Sequence, residues 1–377
     1  MQNIFDLTLE ELKEILKPSF RAKQVWHWLY IAYQNDFNLM ANIPKDLRAK
    51  LNESFSAKNL HIKEIQTSSD GTKKYLFLTN DNHSFESVLL KMKEQKIDKF
   101  GNTIQTPKYT ICISSQIGCR IGCKFCRTGI DGLTRNLSCG EIIEQIVAIK
   151  RDNKILPQKR VNIVYMGMGE PLDNFDNLIK AIKIISNLDG LSISPKRQTI
   201  STSGISPMID KLGEFNLGVQ LAISLHAVNN ETRNKLMPIN KAYNIESIIE
   251  SVRRFPIDTR KRVMFEYLMI KNINDDLQSA KDLLRLLNGI KAKINIILFN
   301  PHSGSNFERP SKESAESFAS FLISKGLLAT IRESKGIDID AACGQLKYKD
   351  KLNKTKLKEL EYKNKSKNKN VSYETKE

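Results

Sequence analysis

Residues 109–129 read YTICISSQIGCRIGCKFCRTG. The first six of these residues predict a strand, and the three cysteines that follow it predict a loop at the strand's end. Five further strand-like segments come later, separated by amphipathic helical stretches: 161–166, 197–201, 219–224, 263–269 and 294–299. Six βα units predict a parallel sheet, either a partial barrel or a doubly wound sheet. In both folds, functional residues gather at the carboxyl ends of the strands.

The rest of the chain divides into segments around this α/β unit, for which we predict the bounds 109–346. Residues 1–58 predict a small helical domain, because Thr8 and Glu11 have the spacing of a capping box. Residues 59–108 predict a β-hairpin linker, with a Lys-rich insertion at 91–105 that favours a surface hairpin. The Lys- and Asn-rich residues 347–377 predict a disordered basic tail.

The charge of the chain favours a polyanionic partner. Lysine and arginine number 59 against 42 acidic residues, a net charge of +17. Such an excess is typical of nucleic-acid binding, although a merely solvated basic surface would give the same number. We expect a cytoplasmic protein that does not bind membranes, because no apolar run is long enough to span a bilayer and no signal peptide is visible.

Three of the six cysteines form the most informative motif. Cys119, Cys123 and Cys126 have the spacing C-x3-C-x2-C. Thiolates are the ligands of iron–sulfur clusters, and three of them can hold three irons of a [4Fe–4S] cluster while the fourth iron stays open. The alternative is structural zinc, which needs four ligands. Cys112 or Cys139 could supply the fourth.

Several separated motifs carry a resemblance to a known family. They are CISSQIGCRIGCKFCRTG (112–129), VYMGMGEPLDN (164–174), TISTSG (199–204), LAISLHA (221–227), RNKLMPINK (233–241) and DIDAACGQL (338–346). In this order they resemble the RlmN/Cfr family of radical S-adenosylmethionine (SAM) RNA adenine methyltransferases. The resemblance runs from about residue 86 to residue 346, and FRAKQVWHWLY (20–30) in the helical domain is also similar.

The resemblance implies a fold, cofactors and partners. The fold is a partial (βα)6 TIM-like barrel of the radical SAM type. The cofactors are one [4Fe–4S] cluster on Cys119, Cys123 and Cys126, and two SAM molecules per turnover. The substrates are an adenine of 23S rRNA and an adenine of tRNA. A reductant or electron-donor protein is also needed, and we expect a monomer.

The resemblance further implies roles for individual residues. Cys343 is methylated and carries the methyl group to RNA, Cys112 resolves the covalent RNA adduct, and Glu86 accepts a proton. SAM contacts are implied for Gly169, Glu170, Ser201, Ser224, Leu225, His226 and Asn300. Without the family resemblance, simpler roles explain three of these residues equally well. His226 would be a structural histidine, Asn300 a helix cap and Cys343 a small buried side chain.

The chemistry of the substrate explains the need for a thiol. Adenine C2 has no lone pair with which to attack the SAM sulfonium, whereas a thiolate readily accepts the methyl group. The family mechanism then uses a radical made from the second SAM, and a disulfide between Cys112 and Cys343 remains to be reduced. Three alternatives stay open: methylation of C8 instead of C2, radical methylthiolation of RNA, and a zinc-stabilised RNA-binding module.

Overall fold

The computed structural model describes residues 1–94, 96–97, 103–130, 132–258, 260–301 and 305–346. The predicted basic tail, 347–377, lies outside the described residues. Met1–Leu346 form one compact unit. Within the described ranges, no helix is both long and apolar enough to cross a membrane.

The amino-terminal part is helical. Its elements are β1 (Gln2–Asn3), α1 (Leu9–Ile15), α2 (Phe20–Tyr30), α3 (Lys45–Ser54) and β2 (Phe55–Ser56). The predicted capping box is confirmed: the Glu11 amide donates to Thr8 Oγ1 at 3.2 Å, and the Thr8 amide donates to Glu11 Oε2 at 2.7 Å. Trp26 is only 2% exposed and packs on Tyr30, with ring centroids 4.3 Å apart, so it belongs to the core.

An antiparallel meander follows. Its strands are β3 (Leu60–Thr67), β4 (Lys73–Thr79) and β5 (Ser84–Lys93). The short strands β6 (Lys96–Ile97) and β7 (Thr103–Gln105) pair antiparallel within the Lys-rich insertion. β4 and β5 pair antiparallel and are the two arms of the hairpin expected from the sequence.

The remaining elements build the parallel sheet and its helices. They are β8 (Lys108–Cys112), β9 (Gln116–Gly118), β10 (Leu133–Asn136), α4 (Cys139–Asp152), β11 (Val161–Tyr165), α5 (Phe175–Ser186), β12 (Gln198–Thr202), α6 (Ser206–Phe215), β13 (Gln220–Ser224), α7 (Asn230–Leu236), α8 (Ile245–Arg254), β14 (Val263–Met269), α9 (Leu277–Leu286), β15 (Ala292–Leu298), α10 (Lys312–Ser324) and β16 (Leu328–Arg332).

The main sheet has the strand order β16-β15-β14-β13-β12-β11-β8-β5-β4-β3. The six strands expected from the sequence are β8 and β11 to β15, and neighbours among them pair parallel. Because the parallel strands lie side by side in chain order, without the reversal of a doubly wound sheet, the predicted partial barrel is confirmed. The sequence pattern did not reveal β16, a seventh parallel strand. This strand lies at the edge of the sheet, and its residues are half exposed. The meander joins the other side of the sheet through β5, where Val88 pairs with Cys112.

A buried carboxylate ties the amino-terminal part to the barrel. Glu144 on α4 is 5% exposed. Its Oε1 accepts from the side-chain amides of Asn3 at 2.8 Å and Asn59 at 3.0 Å. Its Oε2 accepts from the backbone amides of Asn59 at 3.0 Å and Leu60 at 3.2 Å. One side chain therefore satisfies four donors from two other segments.

Glu144→Gln is expected to lower the free energy of unfolding by about 1–3 kcal/mol. The substitution replaces one acceptor oxygen by an NH2 group, which then faces N–H donors that it cannot satisfy. Urea unfolding under anaerobic conditions measures the change. Glu10→Gln, at an exposed position on α1, is the matched control and should shift stability by less than about 0.5 kcal/mol. Equal stabilities of the two variants would contradict this role for Glu144.

Candidate functional site

The carboxyl ends of the parallel strands surround a cavity of about 1030 Å³, here called the cysteine cavity. Most of the site residues expected from the sequence line it: Cys119, Cys123, Cys126, Gly169, Glu170, Ser201, Ser224, His226 and Cys343. All six cysteines are free thiols.

Backbone hydrogen bonds hold the cysteine loop in place. The Cys119 amide donates to Gly132 O at 2.8 Å, and the Lys124 amide donates to Leu236 O at 2.9 Å. Burial raises the pKa of all three thiols, that of Cys119 to about 12. They become thiolates at neutral pH only if a positively charged group binds them, and a metal centre supplies such a charge.

The arrangement of these thiols fits a cluster better than zinc. Among the described residues, no group of three or more His, Cys, Asp or Glu side chains is arranged to hold a single metal ion. A tetrahedral zinc site draws its ligands tightly around one ion, whereas a [4Fe–4S] cube takes each thiolate on a different iron. Three thiols that line one cavity, each able to bind a different iron, are the donor set that a cube requires.

Glu170 is held at the end of β11. Gly169 before it has φ +100°, and a Cβ there would lie 2.5 Å from Gln116 Cβ, so only glycine fits. The carboxylate accepts from the Ser203 amide at 2.7 Å and the Leu172 amide at 3.1 Å. Burial raises the pKa of Glu170, although these hydrogen bonds oppose the shift. Glu170 thereby joins the ends of β11 and β12 at the cavity wall.

His226 is a neutral hydrogen-bond donor. Its Nδ1 accepts from the Leu268 amide at 3.0 Å, so in the neutral ring the proton is on Nε2. Burial, reinforced by the charge of Arg233, lowers the pKa of His226 to about 3. The ring meets Phe125 edge-to-face, with centroids 4.9 Å apart.

Two residues expected at the SAM site do not line the cysteine cavity. Leu225 is fully buried, and only its backbone is engaged, with its amide donating to Glu266 O at 3.1 Å. Asn300 follows the cavity-lining Phe299 and accepts from Arg309 Nη1 at 2.8 Å. Its Nδ2 is buried and has no hydrogen-bond partner in the described part of the chain. That amide remains available to a bound molecule.

A second cavity of about 1110 Å³ adjoins the first, and we call it the thiol cavity. Cys112, at the end of β8, and Cys343 both line it. Cys343 lines the cysteine cavity as well. Burial and the neighbouring Cys343 raise the pKa of Cys112 to about 12, while Arg332 opposes the shift. The structure therefore brings the two thiols of the proposed pair to one space, and Cys343 borders both spaces.

Glu86 lies on β5 beside the thiol cavity without lining it. It is 4% exposed and stands two residues from Val88, which does line that cavity. Alternation along the strand places both side chains on one face of the sheet. Glu86 Oε1 is 3.2 Å from Lys74 Nζ on β4. Ser114 Oγ donates to Glu86 O at 2.6 Å and so fixes the strand locally.

Two cations at the site were not predicted from the sequence. Lys74 pairs with Glu86, and Arg332 at the end of β16 lines both cavities. Arg332 is the last residue of β16, a strand that was not predicted from the sequence. A strand-end arginine placed just before DIDAACGQL is the signal that could have revealed it. Lys74 could be found only from the register of β4 against β5.

Comparison with known proteins identifies the class first. A cysteine loop at the strand ends of a partial barrel defines a radical SAM enzyme, and the sequence model of the Radical SAM superfamily matches residues 113–284. A second model, the ribosomal RNA large subunit methyltransferase N-terminal domain, matches residues 2–56. The crystal structure of a radical SAM methyltransferase from Sphaerobacter thermophilus superposes with a TM-score of 0.84, at 39% identity, covering 92% of this chain and 99% of that one.

Curated relatives identify the family. The dual-specificity RNA methyltransferase RlmN of Wolinella succinogenes is 63% identical over 93% of this chain and 97% of its own length. The RlmN proteins of Helicobacter hepaticus and Campylobacter jejuni are 59% and 58% identical, each over 93% of this chain, and over 95% and 98% of their own lengths. The chain belongs to the RlmN family of radical SAM RNA methyltransferases. Its cofactors are accordingly a [4Fe–4S] cluster and SAM.

Proposed function

We propose that this protein methylates C2 of an adenine in 23S rRNA and of an adenine in tRNA, using Cys343 as the methyl carrier. One observation supports this proposal above the others: Cys343 borders both the cysteine cavity and the thiol cavity that holds Cys112. A carrier that receives a methyl group at one place and delivers it at another needs access to both. We further propose that the enzyme acts as a monomer in the cytoplasm with a reductant protein as partner.

Residues of the cysteine cavity bind the cofactors in this proposal. Cys119, Cys123 and Cys126 hold the cluster, which supplies the electron that cleaves SAM. Glu170 accepts a hydrogen bond from the SAM ammonium, and Nε2–H of His226 donates to the bound molecule. The remaining proposed contacts are Gly169, Ser201, Ser224, the backbone of Leu225 and the free amide of Asn300.

The two thiols of the thiol cavity divide the transfer between them: Cys343 carries the carbon, and Cys112 releases it. The Cys343 thiolate takes a methyl group from one SAM, and this methyl group then loses one hydrogen atom to the radical that the second SAM would supply. Its carbon bonds to C2 of the adenine, and the unpaired electron that this addition leaves would return to the cluster. Glu86 accepts the proton that C2 loses. Cys112, as a thiolate, then attacks the Cys343 sulfur and forms a disulfide. The carbon–sulfur bond breaks with its electron pair on the carbon, which takes up a proton and becomes the methyl group of the RNA. The reductant restores both thiols for the next turnover.

Glu86→Gln is expected to slow methyl transfer to RNA by about 10²-fold or more, because the amide cannot accept the proton. Methylation of Cys343 itself needs no such base and should continue. Peptide mass spectrometry of Cys343 and quantification of methylated RNA measure the two steps separately. Glu94→Gln, just after β5 and paired with Lys91 at the surface, is the control. A Glu86→Gln enzyme as fast as wild type would exclude Glu86 as the base.

Cys126→Ala is expected to abolish iron binding and all methyl transfer, because a cube held by two thiolates loses its third protein ligand. Iron analysis and the visible absorption of the reconstituted protein are the measurements. Cys139→Ala is the matched control, since Cys139 is also buried but starts α4 outside the cysteine cavity. Zinc in place of iron in the wild type, or a brown Cys126→Ala protein, would contradict the proposed cluster.

The methylation proposal itself is tested on RNA. Reconstituted enzyme, SAM and a reductant are incubated with a 23S rRNA fragment and, separately, with tRNA, and the nucleosides are analysed by mass spectrometry. The expected product in both RNAs is 2-methyladenosine. Formation of 8-methyladenosine would place the enzyme in the C8 branch of the family. Unmodified tRNA beside methylated rRNA would restrict the proposal to the ribosome.

A further inference from the structure

Arg233 on α7 is a buried cation that the proposed mechanism leaves unused. Its side chain is 0% exposed. All five of its N–H groups are engaged: Nε with Leu225 O at 3.0 Å, Nη1 with Asn240 Oδ1 at 2.8 Å and Tyr243 O at 3.4 Å, and Nη2 with Ser203 O at 2.6 Å and Ser224 O at 3.0 Å. Every one of these acceptors is a neutral oxygen. The guanidinium is thus fully hydrogen-bonded, while its charge is not neutralised by any of these partners.

Such a charge is expensive to bury without an anion nearby. Burial lowers the pKa of Arg233 only to about 10, so the group stays charged at neutral pH. A methionine or leucine would fill the same space without this cost. The charge is therefore expected to act on a negative group that is bound close by.

The surroundings of Arg233 point to the cysteine cavity. Two of its acceptors, at Ser203 and Ser224, belong to residues that line this cavity. The carbonyl of Leu236, one turn further along α7, accepts the Lys124 amide next to Cys123 at 2.9 Å. The guanidinium therefore lies directly behind residues that line the cysteine cavity, and its helix contacts the cysteine loop at Lys124.

We propose that Arg233 is a positioning residue that raises the reduction potential of the [4Fe–4S] cluster. Reduction adds one electron and no proton, so the cluster and its thiolates become more negative by one charge. A fixed positive charge at low dielectric stabilises that state more than the oxidised state. Three of the five hydrogen bonds, to the carbonyls of Ser203, Ser224 and Leu225, join the ends of β12 and β13, and all five hold the charge in place. This inference rests on the cluster proposed above.

The test is an EPR-monitored redox titration of the reconstituted full-length enzyme without SAM, comparing wild type, Arg233→Gln and Arg233→Lys. In Arg233→Gln, the ratio of reduced to oxidised cluster at a fixed potential should fall at least tenfold, which for one electron corresponds to about 59 mV. Arg233→Lys keeps the charge and should stay within about threefold of wild type. A loss of packing alone would affect both variants.

Asn240→Asp provides a second route to the same question. It places a carboxylate 2.8 Å from Arg233 Nη1 and neutralises the charge with the arginine still present. It should lower the potential as Arg233→Gln does, and it decides the matter if the arginine variants fail to fold. Wild-type potentials in the charge-removing variants, or an equal drop in Arg233→Lys, would overturn the role of Arg233. A wild type with no reducible cluster would instead refute the proposed function.

Discussion

Cys343→Ala should transfer no detectable methyl group to RNA, a loss of about 10⁴-fold or more, while its iron content and brown colour stay those of wild type. Cys343 lines both cavities but is not part of the C-x3-C-x2-C loop. It is also exposed, so its loss costs the fold little. The measurement is transfer of labelled methyl from SAM to 23S rRNA, with iron determined on the same sample.

A second, decisive measurement is made on the wild-type peptide that contains Cys343. Protein made with full iron–sulfur supply should carry one added methyl group on that cysteine. Cys139→Ala, which removes a buried thiol elsewhere, should methylate RNA normally. If Cys343→Ala still methylated RNA, the carrier would have to be another group and the proposed mechanism would be wrong.

Cys112→Ala should trap RNA covalently on the protein. The first turnover can bond the Cys343 carbon to adenine, but no second thiol is then present to attack the sulfur. Within the described residues, Cys112 and Cys343 are the only cysteines that line the thiol cavity. The trapped species should migrate as a heavier, ribonuclease-sensitive band on a denaturing gel, and release of free product should fall at least about 10²-fold.

The double variant Cys112→Ala/Cys343→Ala is the control for this trap. It lacks the carbon carrier and should give no heavier band at all. Free methylated RNA at the wild-type rate from Cys112→Ala would remove Cys112 from the mechanism. A band in the double variant would mean that RNA attaches somewhere other than Cys343.

The sequence predicted the centre of the fold better than its edges. Most residues of β8 and β11 to β15 are buried, and all of these strands except β12 carry several apolar residues that a sequence pattern detects. β16 has one neighbour and half-exposed residues, so its signal merges with that of the preceding helix. The same limitation concealed Arg332, because a residue is recognised at a strand end only after the strand itself is recognised.

The cluster ligands were predictable because their chemistry is local in sequence. Cys119, Cys123 and Cys126 fall within eight consecutive residues. The contact between Lys74 and Glu86 depends instead on the register of two strands, which no short motif encodes. Leu225 illustrates a third limit: a motif identifies a position, but only the structure reveals that its side chain packs in the core.

The meander that flanks β8 contributes a part of the proposed chemistry that the parallel strands do not supply. The proposed cluster ligands and SAM contacts come from residues 119–300, around the parallel strands, whereas Glu86 and Lys74 come from the added antiparallel strands β4 and β5. The proposed proton acceptor thus lies on a different part of the chain from the residues proposed to bind the cluster and SAM, while Cys112 and Cys343 flank that part on either side. A change confined to β4 or β5 is therefore expected to alter methyl transfer to RNA and to leave the cluster and SAM sites intact.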